Sequence, residues 1–272
     1  MALFSLRIVT LEPELTSLEL FELGAQGIEE RDHADGAELV LYSESESELR
    51  ELVQGVEASR VSRYRILPEK DGWETAWAQH LEPIELCKGF WVKPTTAHAH
   101  GPANAQLIHI EPDLAFGIGS HATTQLAARS LLATWKDAKR VLDVGTGTGV
   151  LCFMARLLGA ERVVGLEIDP RALRSAQKNL GLNRRCAPIE FSATPLGEFH
   201  EADWDIVIAN IETTVLLQLA DDLVRVSGKH LILTGILAEQ LSEVLRAFES
   251  RGMRPTTIRD RDDWRLVSLT RS

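Results

Sequence analysis

Three alternating glycines, Gly145, Gly147 and Gly149, stand in the stretch VLDVGTGTGVLCFMARLLGA, behind the acid Asp143 and ahead of an apolar-periodic run. A glycine loop that leaves a strand and opens a helix lets a ligand approach backbone amides and a helix N-terminus more closely than side chains would allow. Two cofactor classes use that geometry. A dinucleotide fold wants G-x-G-x-x-G, with its third glycine at position 150, where Val150 stands instead. The next apolar run, VVGLEIDP, ends in an acid, Glu167, placed to accept hydrogen bonds from both hydroxyls of a ribose. Dinucleotide enzymes share that feature, so Glu167 alone does not separate the two classes. Ile168 beside it reads either as an apolar face for an adenine or as a strand-end core residue. In DIVIANI, Asn210 ends a further run, and its amide carbonyl can accept hydrogen bonds from an amino substrate. Upstream, EPDLAFGIGSHATTQL is a glycine-interrupted loop entering a helix, with Ser120 as a candidate N-cap and Thr123 and Thr124 in the first turn.

These residues need a frame, and the pattern supplies two. From about residue 122 the apolar runs RVLDVG, RVVGLEI, DWDIVIAN and GKHLILTG alternate with amphipathic segments of helix length. Right-handed crossover units and a parallel, doubly wound sheet follow, with RPTTIRD and DDWRLVSLT as a hairpin at one edge. Ahead of them, residues 3–10 alternate as a strand, and Pro13 opens a helix with Leu15, Leu18 and Leu23 apolar and Gly24 as its stop. GIEERDHADGAELVLY reads as two strands around an Asp35-Gly36 turn. A helix carrying Leu49, Leu52, Val53 and Val56 on one face follows, with Ser45 and Glu48 spaced as a capping box, then a last strand, VSRYRIL. That order is ferredoxin-like. The expected division is an α+β domain over 1–67, a linker over 68–100 holding the aromatic pairs Trp73 with Trp77 and Phe90 with Trp91, and the α/β domain over 101–272.

A length of 272 residues with 44% hydrophobic residues is ample for two cores. A net charge of -11 argues against a nucleic-acid groove and favours a basic protein partner. Cys87, Cys152 and Cys186 are odd in number and far apart, so neither a disulfide framework nor a metal cluster is expected; His98 and His100 read as loop residues. The opening MALFSLRIVTLEPE is interrupted by Arg7, and no stretch reaches membrane-spanning length. A cytoplasmic monomer without membrane contact is the expectation.

The G-x-G-x-G form preceded by an acid resembles the first motif of class I S-adenosylmethionine-dependent methyltransferases. AFGIGSHATT, VLDVGTGTG, GLEIDP, IANI and LTGILAEQ, in that order, resemble the bacterial ribosomal protein L11 methyltransferase family, as do LFELGAQGIEE and WETAWAQHLEPI nearer the start. The resemblance covers nearly the whole chain. It implies a Rossmann-like methyltransferase domain behind a small ferredoxin-like docking domain, S-adenosylmethionine as cofactor, and methylation of amino groups, lysine or N-terminal, on ribosomal protein L11. It also implies that Thr124, Gly145, Glu167 and Asn210 contact the cofactor, with Phe116, Gly117, Asp143, Gly147, Gly149 and Ile168 completing the set. Asn210 would orient the acceptor, and His121 would either relay its proton or bond to backbone. The chain departs from the family's usual motifs at Ile118, Ser120 and Ala122, which replace two threonines and a proline. It departs again at Glu212, which either faces the acceptor or merely starts a helix. Those departures leave two alternatives open: another lysine or small amine as acceptor, or cofactor binding without turnover.

Overall fold

The computed structural model describes residues 3–25, 28–43, 45–69, 81–112 and 117–271. The chain divides into two compact units, Met1–Ala76 and Trp77–Ser272.

In the first unit, strands β1 (Leu3–Thr10), β2 (Glu29–His33), β3 (Gly36–Ser43) and β4 (Arg63–Glu69) alternate with helices α1 (Pro13–Glu22) and α2 (Glu46–Gly55). The sheet order is β2-β3-β1-β4, all antiparallel, the ferredoxin-like arrangement. Leu6 and Ile8 from β1 and Leu39 and Leu41 from β3 point to one face, where Leu49, Leu52 and Val53 of α2 cover them. The expected helix α1 forms, but on a different face. Leu15 and Leu23 are exposed, while Thr16 and Leu20, one turn apart, are fully buried. Thr16 bonds the Thr10 hydroxyl and the Glu12 carbonyl, which fixes which side of the helix turns inward. The capping box at α2 is half formed: the Ser45 hydroxyl accepts the Glu48 amide, whereas the Glu48 carboxylate binds the Ser43 hydroxyl.

The second unit opens with β5 (Ile84–Cys87), β6 (Phe90–Pro94) and β7 (Gln106–Ile110), a small sheet in which β5 and β6 form a hairpin and β7 runs parallel to β6. Residues 84–94, read from sequence as linker, are therefore strands of this unit. Their buried side chains Leu86, Phe90 and Val92 enter its core; Trp73 and Trp77 lie outside the described residues.

The main sheet has seven strands: β8 (Arg140–Val144), β9 (Arg162–Leu166), β10 (Glu190–Ser192), β11 (Trp204–Asn210), β12 (Ser227–Leu237), β13 (Met253–Arg261) and β14 (Trp264–Arg271), ordered β10-β9-β8-β11-β12-β14-β13. The first five are mutually parallel, and the β13–β14 hairpin adds antiparallel strands at one edge. The three-residue β10 carries too little periodicity to be read in advance. Alternate residues serve opposite faces. Val141, Ile206, Ile208 and Ile232 meet α3 (Ala122–Thr134) and α4 (Val150–Leu158). Leu142, Val207, Leu231 and Leu233 meet α6 (Thr213–Gln218), α7 (Ala220–Val226) and α8 (Leu241–Glu249). Strand order reverses between β8 and β11, which opens a crevice at their carboxyl ends.

Helix α5 (Pro170–Leu182) ties the small sheet to the glycine loop through a fully buried asparagine. Asn179 accepts the Glu111 amide at 2.9 Å and donates to the Thr148 carbonyl at 3.1 Å. Asn179→Leu leaves two buried backbone groups without partners, so unfolding in urea should show a loss of roughly 2 to 4 kcal/mol with an unchanged denaturant slope.

Candidate functional site

The carboxyl ends of β8, β9, β11 and β12 frame a cleft of about 640 Å³. Its cofactor-sized volume and mostly apolar lining, set with a few polar groups, suit a small-molecule site. Strand order divides it into two halves. Over β8 and β9 lie Gly145, Gly147, Glu167, Ile168, Asp169 and Ala172; over β11, β12 and β14 lie Asn210, Ile211, Glu212, Gly235 and Trp264, with His121 and Thr123 at the start of α3.

The glycine loop is tied to the neighbouring strand rather than left with open amides. The Leu166 carbonyl at the end of β9 accepts from both the Gly145 and Thr146 amides, at 2.9 and 3.0 Å, and Gly149 donates to Thr146. The Gly147 amide donates to Glu167 Oε2 at 2.9 Å, while Glu167 Oε1 accepts the Asp169 amide at 3.0 Å. The amides of Gly145, Thr146, Gly147 and Gly149 are thus engaged within the protein. Gly145 has φ +73°, and a Cβ there would stand 2.4 Å from Ile211 Cγ2, so only glycine fits. Gly149, also at positive φ, faces away from the cleft: its missing Cβ makes room for Phe191 and Phe153 where α4 begins.

Behind the loop, Asp143 is buried. Its Oδ2 accepts the Thr146 hydroxyl at 2.6 Å and stands 3.6 Å from Cys152 Sγ, and its Oδ1 has no hydrogen-bond partner. Burial pushes this carboxyl up to about 6; the hydrogen bonds from Thr146 and Cys152 oppose that rise, and the charge of Glu167 adds to it.

Other expected residues separate into lining and support. Ile168 is 73% exposed at the cleft, which removes the core-residue reading and leaves an open apolar surface. Gly117 is buried, and its carbonyl accepts the Thr148 hydroxyl at 2.8 Å, so it braces the glycine loop from outside the cleft. Thr124 is buried with an unpartnered hydroxyl, and its neighbour Thr123 reaches the cleft in its place. Phe116 lies outside the described residues. His121, rather than Ser120, caps α3: its Nδ1 accepts the Thr123 amide at 3.3 Å and contacts the Thr123 hydroxyl at 2.7 Å. Its ring also meets Trp264 edge-on, with centroids 5.3 Å apart. Trp264 was not foreseen, because only the hairpin brings it back over β12, opposite Leu237. Asp169 had a legible signal, an acid directly before Pro170, and it caps α5 by accepting the Arg171 amide. Glu212 is both things expected of it: it precedes α6 at the N-cap position, makes no cap hydrogen bond, and lines the cleft.

The sequence profile described as ribosomal protein L11 methyltransferase (PrmA) matches residues 9–272. The chain belongs to that family. The ribosomal protein L11 methyltransferase of Geobacter sulfurreducens is 37% identical over 196 residues, 71% of this chain and 64% of that protein. That of Dictyoglomus thermophilum is 32% identical over 222 residues, 80% of this chain and 72% of the relative. The match to the Geobacter protein therefore spans just under two thirds of its length. Among solved structures, the ribosomal protein L11 methylase of Lactobacillus delbrueckii subsp. bulgaricus superposes with a TM-score of 0.65 at 27% identity, covering 70% of this chain and 99% of that one. The family's Rossmann-like methyltransferase fold is the fold seen here. No helix among the described residues is long and apolar enough to cross a membrane.

The buried acid yields a pH test. Because the folded state holds the Asp143 proton more tightly than the unfolded chain does, its stabilising contribution is full below pH 4 and lost as pH rises through about 6. Between pH 4 and pH 7, Asp143→Asn should gain on the wild type by up to about 3 kcal/mol of unfolding free energy, measured in urea. A difference that stays flat with pH would show the carboxyl is ionised throughout.

Proposed function

We propose that the protein transfers a methyl group from S-adenosylmethionine to amino groups of ribosomal protein L11. The observation that carries this reading is the pairing, in one cleft, of a ribose-competent carboxylate at the end of β9 with a primary amide at the end of β11. Family membership supplies the acceptor.

The residues present fit this cofactor. Each Glu167 oxygen accepts one backbone amide and keeps a lone pair for a ribose hydroxyl. The exposed Ile168 offers an apolar face to the adenine, and the side-chain-free surface at Gly145 and Gly147 takes the methionine part. When bound, the cofactor supplies a methyl group activated on a sulfonium. The protein's task is then alignment and desolvation of the incoming nitrogen. The Asn210 carbonyl accepts a hydrogen bond from the acceptor amine and directs its lone pair along the cleft, with Ile211 and Trp264 excluding water around it. A lysine, with a pKa of about 10.4, costs about 4 to 5 kcal/mol to deprotonate at neutral pH; an N-terminal amine, near 8, costs about 1. Orientation by Asn210 acts on the small neutral fraction. His121 holds the loop against α3 through its cap, and its ring edge against Trp264 completes the acceptor wall.

The first unit serves in this reading as the module that docks ribosomal protein L11, and the net charge of -11 suits a basic substrate. The enzyme acts in the cytoplasm as a monomer.

Labelled S-adenosylmethionine incubated with the protein and purified ribosomal protein L11 should label the latter; no transfer to that protein would end the assignment. Glu167→Ala should weaken cofactor binding in calorimetry by roughly 2 to 4 kcal/mol, the worth of a pair of charge-assisted hydrogen bonds. Unchanged affinity in a folded variant would remove Glu167 from the ribose. Asn210→Ala should lower turnover about a hundredfold while changing cofactor affinity less, on the scale of one preorganised polar contact.

A further inference from the structure

We infer that Glu212 makes the cleft select acceptors that arrive as ammonium cations. The inference rests on the methyl-transfer reading for the identity of the acceptor and adds which protonation state is captured. Among the described residues, three carboxylates line the cleft: Glu167, Asp169 and Glu212. Glu167 holds the amides of Gly147 and Asp169, and Asp169 holds the amide of Arg171. Glu212 makes no cap hydrogen bond and, among the described residues, no ion pair. Among the described residues, no lysine or arginine lines the cleft to neutralise it.

Position decides what this charge acts on. Glu167 and Asp169 follow β9, on the side where the ribose and adenine lie; Glu212 follows β11, two residues beyond Asn210, on the acceptor side. Its helix also places the apolar Val215 and Leu219 on the cleft wall, so an approaching cation loses water beside a low-dielectric surface and meets one carboxylate. Thr213, next in the chain, hydrogen-bonds Gln240 at 2.7 Å, which anchors the start of α6 to the segment after β12. The carboxylate therefore projects from a fixed base.

The same charge that captures an ammonium also stabilises it against losing its proton. Glu212→Gln should raise KM for the acceptor and leave kcat equal or higher, whereas a merely structural glutamate would lower kcat on removal. Exposed pairs of this kind give up to about fivefold in affinity.

Binding without turnover provides the decisive test. The full chain, saturated with S-adenosylhomocysteine, is titrated calorimetrically at pH 7 and low salt with a blocked peptide whose only charge is one lysine, and with its acetyllysine counterpart. The wild type should bind the lysine peptide about fivefold more tightly. The ratio should fall to about one in Glu212→Gln and invert in Glu212→Lys. A wild type without preference, or a Glu212→Gln variant that keeps it, overturns the inference. Methyl transfer to purified ribosomal protein L11 is followed separately in the wild type. Charge preference in a protein that transfers no methyl group to purified ribosomal protein L11 would sink the methyl-transfer reading while leaving the selection by Glu212 standing.

Discussion

The carbonyl of Leu166 and the carboxylate of Glu167, adjacent at the end of β9, together hold three consecutive amides of the glycine loop: Gly145, Thr146 and Gly147. The site depends on this attachment. A loop leaving β8 with three glycines has little conformational preference of its own, and three hydrogen bonds to a neighbouring strand hold it in one path. The loop is then fixed relative to β9, so Glu167, Gly145 and Gly147 line the same cleft. Because β8 and β9 are parallel and in register from Arg140 with Arg162 to Val144 with Leu166, the bonds to the Leu166 carbonyl continue the sheet pairing, and the Glu167 carboxylate adds the third.

Support for the loop continues outward in layers. Thr148 binds the carbonyl of Gly117, and Asn179 binds the carbonyl of Thr148 together with the amide after β7. Asp143, buried beneath, receives the Thr146 hydroxyl. Gly117, Asp143 and Gly149, which the motif comparison groups with the cofactor residues, stand behind the cleft lining in this structure. They set where Gly145, Gly147 and Glu167 stand. The same logic applies across the crevice, where the β13–β14 hairpin brings Trp264 against His121 at the β11 side of the cleft.

The electrostatics of the cleft follow from this division of labour. Carboxylates on the β9 side are occupied by backbone amides, which lowers their availability to cations and leaves lone pairs for further donors. The carboxylate on the β11 side has no such occupation. The same functional group thereby stands in different backbone surroundings at the two ends of the cleft.

Much of this was legible in the amino-acid sequence. Period-two and helical patterning identified the strands and helices of the first unit, the parallel strands and the edge hairpin, because burial of one face imposes a period on the chain. The motif order located the glycine loop, Glu167 and Asn210, since each stands at a strand end where the pattern breaks. The tertiary structure decided what pattern cannot encode. It turned Leu20 rather than Leu15 and Leu23 inward on α1, because a threonine hydrogen bond oriented the helix. It made strands of residues 84–94, whose runs are too short to show a period. It chose Thr123 over Thr124 for the cleft, neighbours about 100° apart on a helix whose rotation is set by packing. It occupied the loop amides and brought in Trp264 from the far end of the chain. Local sequence specifies which residues share a face or end a strand; which distant backbone groups and side chains they then meet depends on sheet order and packing, which exist only once the chain has folded.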